Sequence, residues 1–313
     1  MPPPSPTLAP WSPSSTPSAT PNVGLLTPFL IFHLFTVLGG LVMLTTAIFC
    51  SSRVPRQPVW FSFISSFVIY SGSFALLVFT GYGFKGEGQR SETGLLLGPG
   101  FGVCLAQAAM QYSALPFTSA TTFALVAQVF FNIKNWVKET MPTKRQENLL
   151  LFFLGAPYIL YVGMLTSFIV IGLLNPTTVQ LGARDFYCSF IMRVPARITS
   201  ILVAVLMIPT VVLNSITLYH LRGNWNLLRG SVRRVMAFSV VGVLAIVLGI
   251  VFFAISEETP HALDVVTSLV PMSAIIIFGS QKDLLDVWCW WRKDKPLTSL
   301  KSSSNIVSRD RSL

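Results

Sequence analysis

Four cysteines and a small set of neutral amides are the residues of this chain whose types and spacing could do chemistry. The cysteines are Cys50, Cys104, Cys188 and Cys289. Gln107 and Gln111 stand four apart, which places them on one helical face; Gln128, Asn132 and Asn135 repeat at spacings of four and three further on. His33 stands alone. No His-Glu-x-x-His, paired carboxylates or Cys/His cluster occurs, so the sequence predicts neither a metal nor a cofactor, and no hydrolytic enzyme. Proton transfer and ion coordination need ionisable groups at a defined point, and the apolar parts of this chain offer almost none.

The elements that must position these residues are seven long apolar runs: Leu25–Cys50, Val59–Gly81, Cys104–Phe131, Leu149–Leu174, Ile198–Leu221, Val235–Ile255 and Ala262–Gly279. Each is near the ~20 residues that a helix needs to cross a bilayer. Six carry no charged residue, and the seventh holds only Asp264. Helices at a water-facing surface show a polar stripe, and these runs do not. Backbone groups in hydrocarbon must be satisfied internally, so the expectation is an all-α membrane protein, a seven-transmembrane helix bundle. Charged residues make up 11% of the chain and hydrophobic ones 52%, which agrees.

The net charge of +10 could suggest nucleic acid, but the basic residues do not alternate with aromatics in a patch. They sit in short connections. Alternate connections and the C-terminal tail hold 17 Lys or Arg, among them Lys134, Lys138, Arg222, Arg233, Arg234 and Lys282. The opposite side holds 5: Lys85, Arg90, Arg184, Arg193 and Arg197. The positive-inside rule then puts the C-terminus in the cytoplasm and the N-terminus outside, with the plasma membrane as the expected location.

Four sections follow from this. Residues 1–23 form a Pro/Ser/Thr-rich extracellular tail, expected to be disordered because residues 1–21 hold eight prolines and eight Ser or Thr. Residues 24–280 form the bundle. Residues 281–292 form a short amphipathic interfacial helix, with Leu284, Leu285, Trp288 and Trp291 on its apolar side. Residues 293–313 form a disordered cytoplasmic tail. Threading the chain puts Cys104 and Cys188 on the outer side and Cys50 and Cys289 on the inner side. Cys104–Cys188 is therefore the one pairing in an oxidising compartment, against two free thiols as the alternative. Cys289, beside Trp288 and Trp290, is a palmitoylation candidate.

Seven spans, a cysteine opening the third, Phe186-Tyr187-Cys188 in the second outer loop and an amphipathic helix after the seventh together resemble G-protein-coupled receptors. The end of the seventh span, Phe278-Gly279-Ser280-Gln281-Lys282-Asp283, is similar to the Phe-Gly-x-x-x-Asp pattern of fungal seven-transmembrane receptor-like proteins of the cAMP-receptor-like and glucose-sensor-like group. Asn132-Ile133-Lys134 stands where rhodopsin-type receptors carry Asp/Glu-Arg-Tyr, and that class is disfavoured.

The resemblance implies a receptor for an unknown extracellular ligand that signals to a heterotrimeric G protein. Gln107, Gln111, Arg197 and Asp264 are the ligand-pocket candidates, with structural hydrogen bonding as the plain alternative for the glutamines. Asn132, Lys134, Lys138, Arg222, Arg233, Arg234 and Lys282 are the effector-coupling candidates; anchoring to anionic lipid is their other role. A transporter or channel without G-protein coupling is the alternative function. Pro116, Pro157, Pro209 and Pro271 mark expected bends within spans.

Overall fold

The computed structural model describes residues 23–52, 56–80, 100–137, 141, 143–181, 187–222 and 261–288. The elements are α1 (Val23–Phe49), α2 (Pro58–Phe79), α3 (Phe101–Val137), α4 (Lys144–Leu174), β1 (Val179–Leu181), β2 (Cys188–Phe190), α5 (Arg193–Arg222), α6 (His261–Gly279) and α7 (Lys282–Trp288). Five of them, α1 to α5, are long and apolar enough to cross a membrane. α6 carries a shorter apolar stretch, Thr267–Gly279, from the seventh run of the sequence. The chain is that of a multi-pass membrane protein. The sixth run, Val235–Ile255, lies outside the described residues, as do residues 1–22, residues 289–292 of the expected interfacial helix with Trp291, and the tail 293–313; Val23, expected in the N-terminal tail, opens α1.

Local chemistry sets the helix starts. Pro58 opens α2, where a missing N–H is no loss. α4 begins at Lys144, five residues before the apolar run, because Thr143 and Gln146 form a capping box. The Gln146 N–H donates to Thr143 Oγ1 at 3.3 Å, and the Thr143 N–H donates back to Gln146 Oε1 at 3.1 Å. α5 likewise starts earlier than its apolar run, at Arg193. Pro28 lies inside α1, in addition to the four prolines within later helices.

α3 is the hub. It packs against α2, α4, α5 and both strands, whereas α1 packs against α2, α6 and α7. Small residues make these approaches close. A methyl on Gly39 would stand 2.8 Å from Ile275 Cγ2 of α6, and one on Gly40 would overlap Val68 of α2. On α4, a methyl on Gly172 would overlap Leu105 of α3. Ser66 of α2 and Thr121 of α3 share a buried hydrogen bond of 2.8 Å, worth roughly 0.6 kcal/mol in a helix bundle of this kind.

Three apolar clusters fill the interior. One, at the end carrying α7, joins Met43, Phe63, Leu125, Ile275 and Leu284. A second, at the end carrying the strands, joins Leu77, Leu105, Phe168, Val179 and Phe190. Phe29, Tyr70, Phe74 and Ala114 form the third, with Tyr187 and Val265 packed against it. Ile31, Leu38, Ile159, Val162 and Val205 project outward, an apolar surface suited to lipid.

α7 differs in one detail from its expected face. Leu284 is fully buried and Val287 and Trp288 are partly buried against the core, but Leu285 is exposed. At ~100° per residue Leu285 falls beyond the stripe set by 284, 287 and 288. The Trp288 indole N–H donates to Thr46 Oγ1 at 2.9 Å, which fastens α7 to the end of α1.

Candidate functional site

The residues brought together at the strand end form a roof on the hub helix. β1 and β2 pair antiparallel with Val179 opposite Phe190 and Leu181 opposite Cys188. Cys188 is disulfide-bonded to Cys104 on the first turn of α3, with Cα atoms 5.1 Å apart and both residues fully buried. Of the cysteine pairings, this is the one the sequence favoured. Cys50 is a free thiol, and Cys289 lies outside the described residues.

Gln107, one turn below Cys104, braces the same joint. Its Oε1 accepts from the Cys188 N–H at 2.9 Å. Its Nε2 donates to the carbonyls of Ser73 and Phe74 on α2, at 3.1 and 3.3 Å. The side chain is fully buried and its amide is fully engaged. It links α2, α3 and the hairpin. Gln111, the next amide on that face, is also buried, and its Nε2 has no hydrogen-bond partner in the structure.

Beneath the roof lies an aromatic nest around His33. Its ring stacks on Phe74 with centroids 4.5 Å apart, meets Phe29 edge-on at 4.6 Å, and lies 6.0 Å from Tyr70. Tyr187, the residue before β2, reaches Phe74 at 5.3 Å and Phe29 at 6.2 Å. Among the described residues neither ring nitrogen of His33 has a hydrogen-bond partner, and the Ser71 hydroxyl also lacks one. Buried polar atoms left without partners cost about 1–3 kcal/mol each. Phe29, one turn before His33 on α1, is legible from spacing, but Tyr70 and Phe74 come from α2 and could not be read from sequence.

Other pocket candidates fall elsewhere. Arg197 is exposed on the first turns of α5. Asp264 lies in α6, and its side chain is outside the described residues.

At the opposite end, the amide series divides. Gln128 and, on α5, Asn214 are buried; Asn132 is exposed. Asn135 pairs with Gln146 of α4 in a two-way amide contact, Nδ2 to Oε1 at 3.1 Å and Nε2 to Oδ1 at 3.4 Å. Gln146 thus caps its own helix and ties it to α3. The Thr143-x-x-Gln146 signature could have been found in the sequence; its pairing with Asn135 could not. Lys134 is exposed, with its ammonium 6.0 Å from the Phe130 ring centroid. Arg222 ends α5 and Lys282 opens α7, with side chains outside the described residues. Lys138, Arg233 and Arg234 lie wholly outside them.

Among the described residues no group of three His, Cys, Asp or Glu side chains could hold a metal ion. No protein-family model matches the chain, and no curated protein matches it.

Proposed function

We propose that this chain is a seven-transmembrane receptor of the plasma membrane that senses an extracellular ligand and signals to a cytoplasmic heterotrimeric G protein. The observation that carries the reading is the roof. A hairpin between the fourth and fifth spans is bound to the hub helix by both a disulfide and a glutamine, above an interior where polar atoms of His33 and Ser71 have no partner among the described residues. A disulfide belongs to an oxidising compartment, which supports placing the hairpin outside. The 17-to-5 distribution of Lys and Arg supports the same orientation. Protease protection of terminal tags in intact cells tests it: a C-terminal tag digested from outside refutes the orientation.

In this arrangement Val235–Ile255 is the sixth span and α6 belongs to the seventh. α7 lies in the inner interface, its Leu284 and Trp288 turned to the bundle. By this topology Asn132, Lys134, Lys138, Arg222, Arg233, Arg234 and Lys282 belong to the cytoplasmic side, and they are assigned as the docking surface for the G protein. The test is nucleotide exchange on heterotrimeric G protein by proteoliposomes of the wild-type chain and of Arg233→Gln with Arg234→Gln. Basal exchange above empty liposomes that falls in the variant, at equal insertion and orientation, supports receptor coupling. Exchange equal to empty liposomes, with solute uptake into the same vesicles, supports the transporter reading instead.

A further inference from the structure

Pro116 stands inside α3 and has no N–H to offer the carbonyl of Tyr112, four residues earlier. Its ring also crowds that carbonyl, and in hydrocarbon a carbonyl without a partner is expensive. The partner comes from a different helix. Thr199 Oγ1 of α5 donates to the Tyr112 carbonyl at 3.2 Å, and Thr199 is 2% exposed. The other α5 hydroxyls with a described bond, Thr210, Ser215 and Thr217, each return it to their own helix four residues back. Thr199 crosses to a neighbour instead, at the carbonyl that a proline has released.

The side chain of the same tyrosine faces the hairpin. The Tyr112 ring lies 5.6 Å from Phe190 of β2 and 5.9 Å from Phe168 of α4, and those two rings are 6.0 Å apart. Phe190 is two residues past the cysteine that fixes the hairpin to α3. Tyr112 is therefore held through its ring by the roof and through its carbonyl by α5, one turn before Pro116.

We infer that the Thr199–Tyr112 hydrogen bond is a releasable tie that sets the bend of α3 at Pro116 and passes movement of the hairpin to α5. Two positions exist for the hydroxyl. With the tie made, the released carbonyl is drawn to α5. With the tie broken, Thr199 has an acceptor in its own helix, the carbonyl of Pro195 four residues back, where Ser and Thr in helices ordinarily bond. A displaced Phe190 carries the Tyr112 ring with it and turns the carbonyl away from α5. Helix α5 then shifts as far as its opposite end at Arg222. Such an element has two discrete arrangements, which a ligand on the hairpin can weigh against each other. The use of the tie for signalling rests on the receptor reading; its existence does not.

The test is a distance measurement that needs neither agonist nor G protein. Spin labels are placed at Asn132 and Ile216, exposed positions on the far halves of α3 and α5, with Cys50 and Cys289 replaced by serine. Thr199→Val is expected to move or broaden the distance distribution by roughly 1–2 Å, the scale of helix shifts at packed interfaces. Pro116→Ala restores an N–H partner for the Tyr112 carbonyl, so adding Thr199→Val to it changes nothing further. Thr199→Ser keeps the hydroxyl and the parent distribution. Reducing the disulfide moves the distribution in the parent and not in Tyr112→Leu. Equal effects of Thr199→Val with and without Pro116, or none in either, overturn the tie. If Thr199→Val fails to fold with Pro116 present, its normal folding beside Pro116→Ala supports the tie, and failure in both overturns it. A chain that shows the coupling but activates no G protein refutes the receptor reading alone.

Discussion

Gln107 and Cys188 are joined by a 2.9 Å hydrogen bond from the Cys188 N–H to the glutamine Oε1, one helical turn below the disulfide that joins Cys188 to Cys104. The two links are of different chemistry and act on one joint. The disulfide limits how far the hairpin strays from α3, and the glutamine fixes its orientation while gripping α2.

Replacing Gln107 by Leu keeps the volume and removes the acceptor. The Cys188 N–H is then buried without a partner, which costs about 1–3 kcal/mol. The carbonyls of Ser73 and Phe74 lose only a second partner, since both lie in helix α2. We expect a lower thermal midpoint in detergent with the disulfide still formed by peptide mapping. An unchanged midpoint means that the brace contributes nothing.

The disulfide itself closes a separation of 84 residues. In solution such a loop contributes on the order of 4 kcal/mol through the unfolded state. A bilayer already confines the unfolded chain, so Cys104→Ala with Cys188→Ala should cost less than this. Non-reducing peptide mapping of mature protein is expected to recover the pair. Alkylation of both thiols without prior reduction would show the bridge absent.

His33→Phe keeps a ring against Phe29 and Phe74 and deletes two nitrogens that have no partner among the described residues. Removing buried polar groups without partners is neutral or stabilising. The midpoint of the purified protein should stay or rise. A fall equivalent to more than about 1 kcal/mol means that those nitrogens are hydrogen-bonded in the folded protein.

The glycines should divide by position. Gly40→Val drives a side chain into Val68 of α2, and Gly172→Val drives one into Leu105 of α3. Each should destabilise by about 1–3 kcal/mol or more, as overpacking does. Gly163 of α4 has nothing within 4 Å of an added methyl, and Gly163→Ala should be accepted. Parallel unfolding curves check the contrast; equal losses at all three positions contradict the helix contacts described.

The apolar runs and the helices they form were legible because the signal is local: hydrocarbon accepts no charge, and a run such as Leu149–Leu174 announces that by composition alone. The pairing of Cys104 with Cys188 was favoured by the order of the same runs. The Thr143-x-x-Gln146 cap and the carbonyl that Pro116 leaves without an N–H are also written locally. Partners across helices are a different matter. A released carbonyl at Tyr112 is foreseeable from Pro116, but that Thr199 answers it depends on how α5 rotates against α3. Gln107 and Gln111 look alike in sequence, four apart on one face; only packing engages one with α2 and the hairpin and leaves the amide nitrogen of the other without a partner. A residue type fixes which bonds are possible, and the tertiary arrangement decides which atoms come within 3 Å of each other.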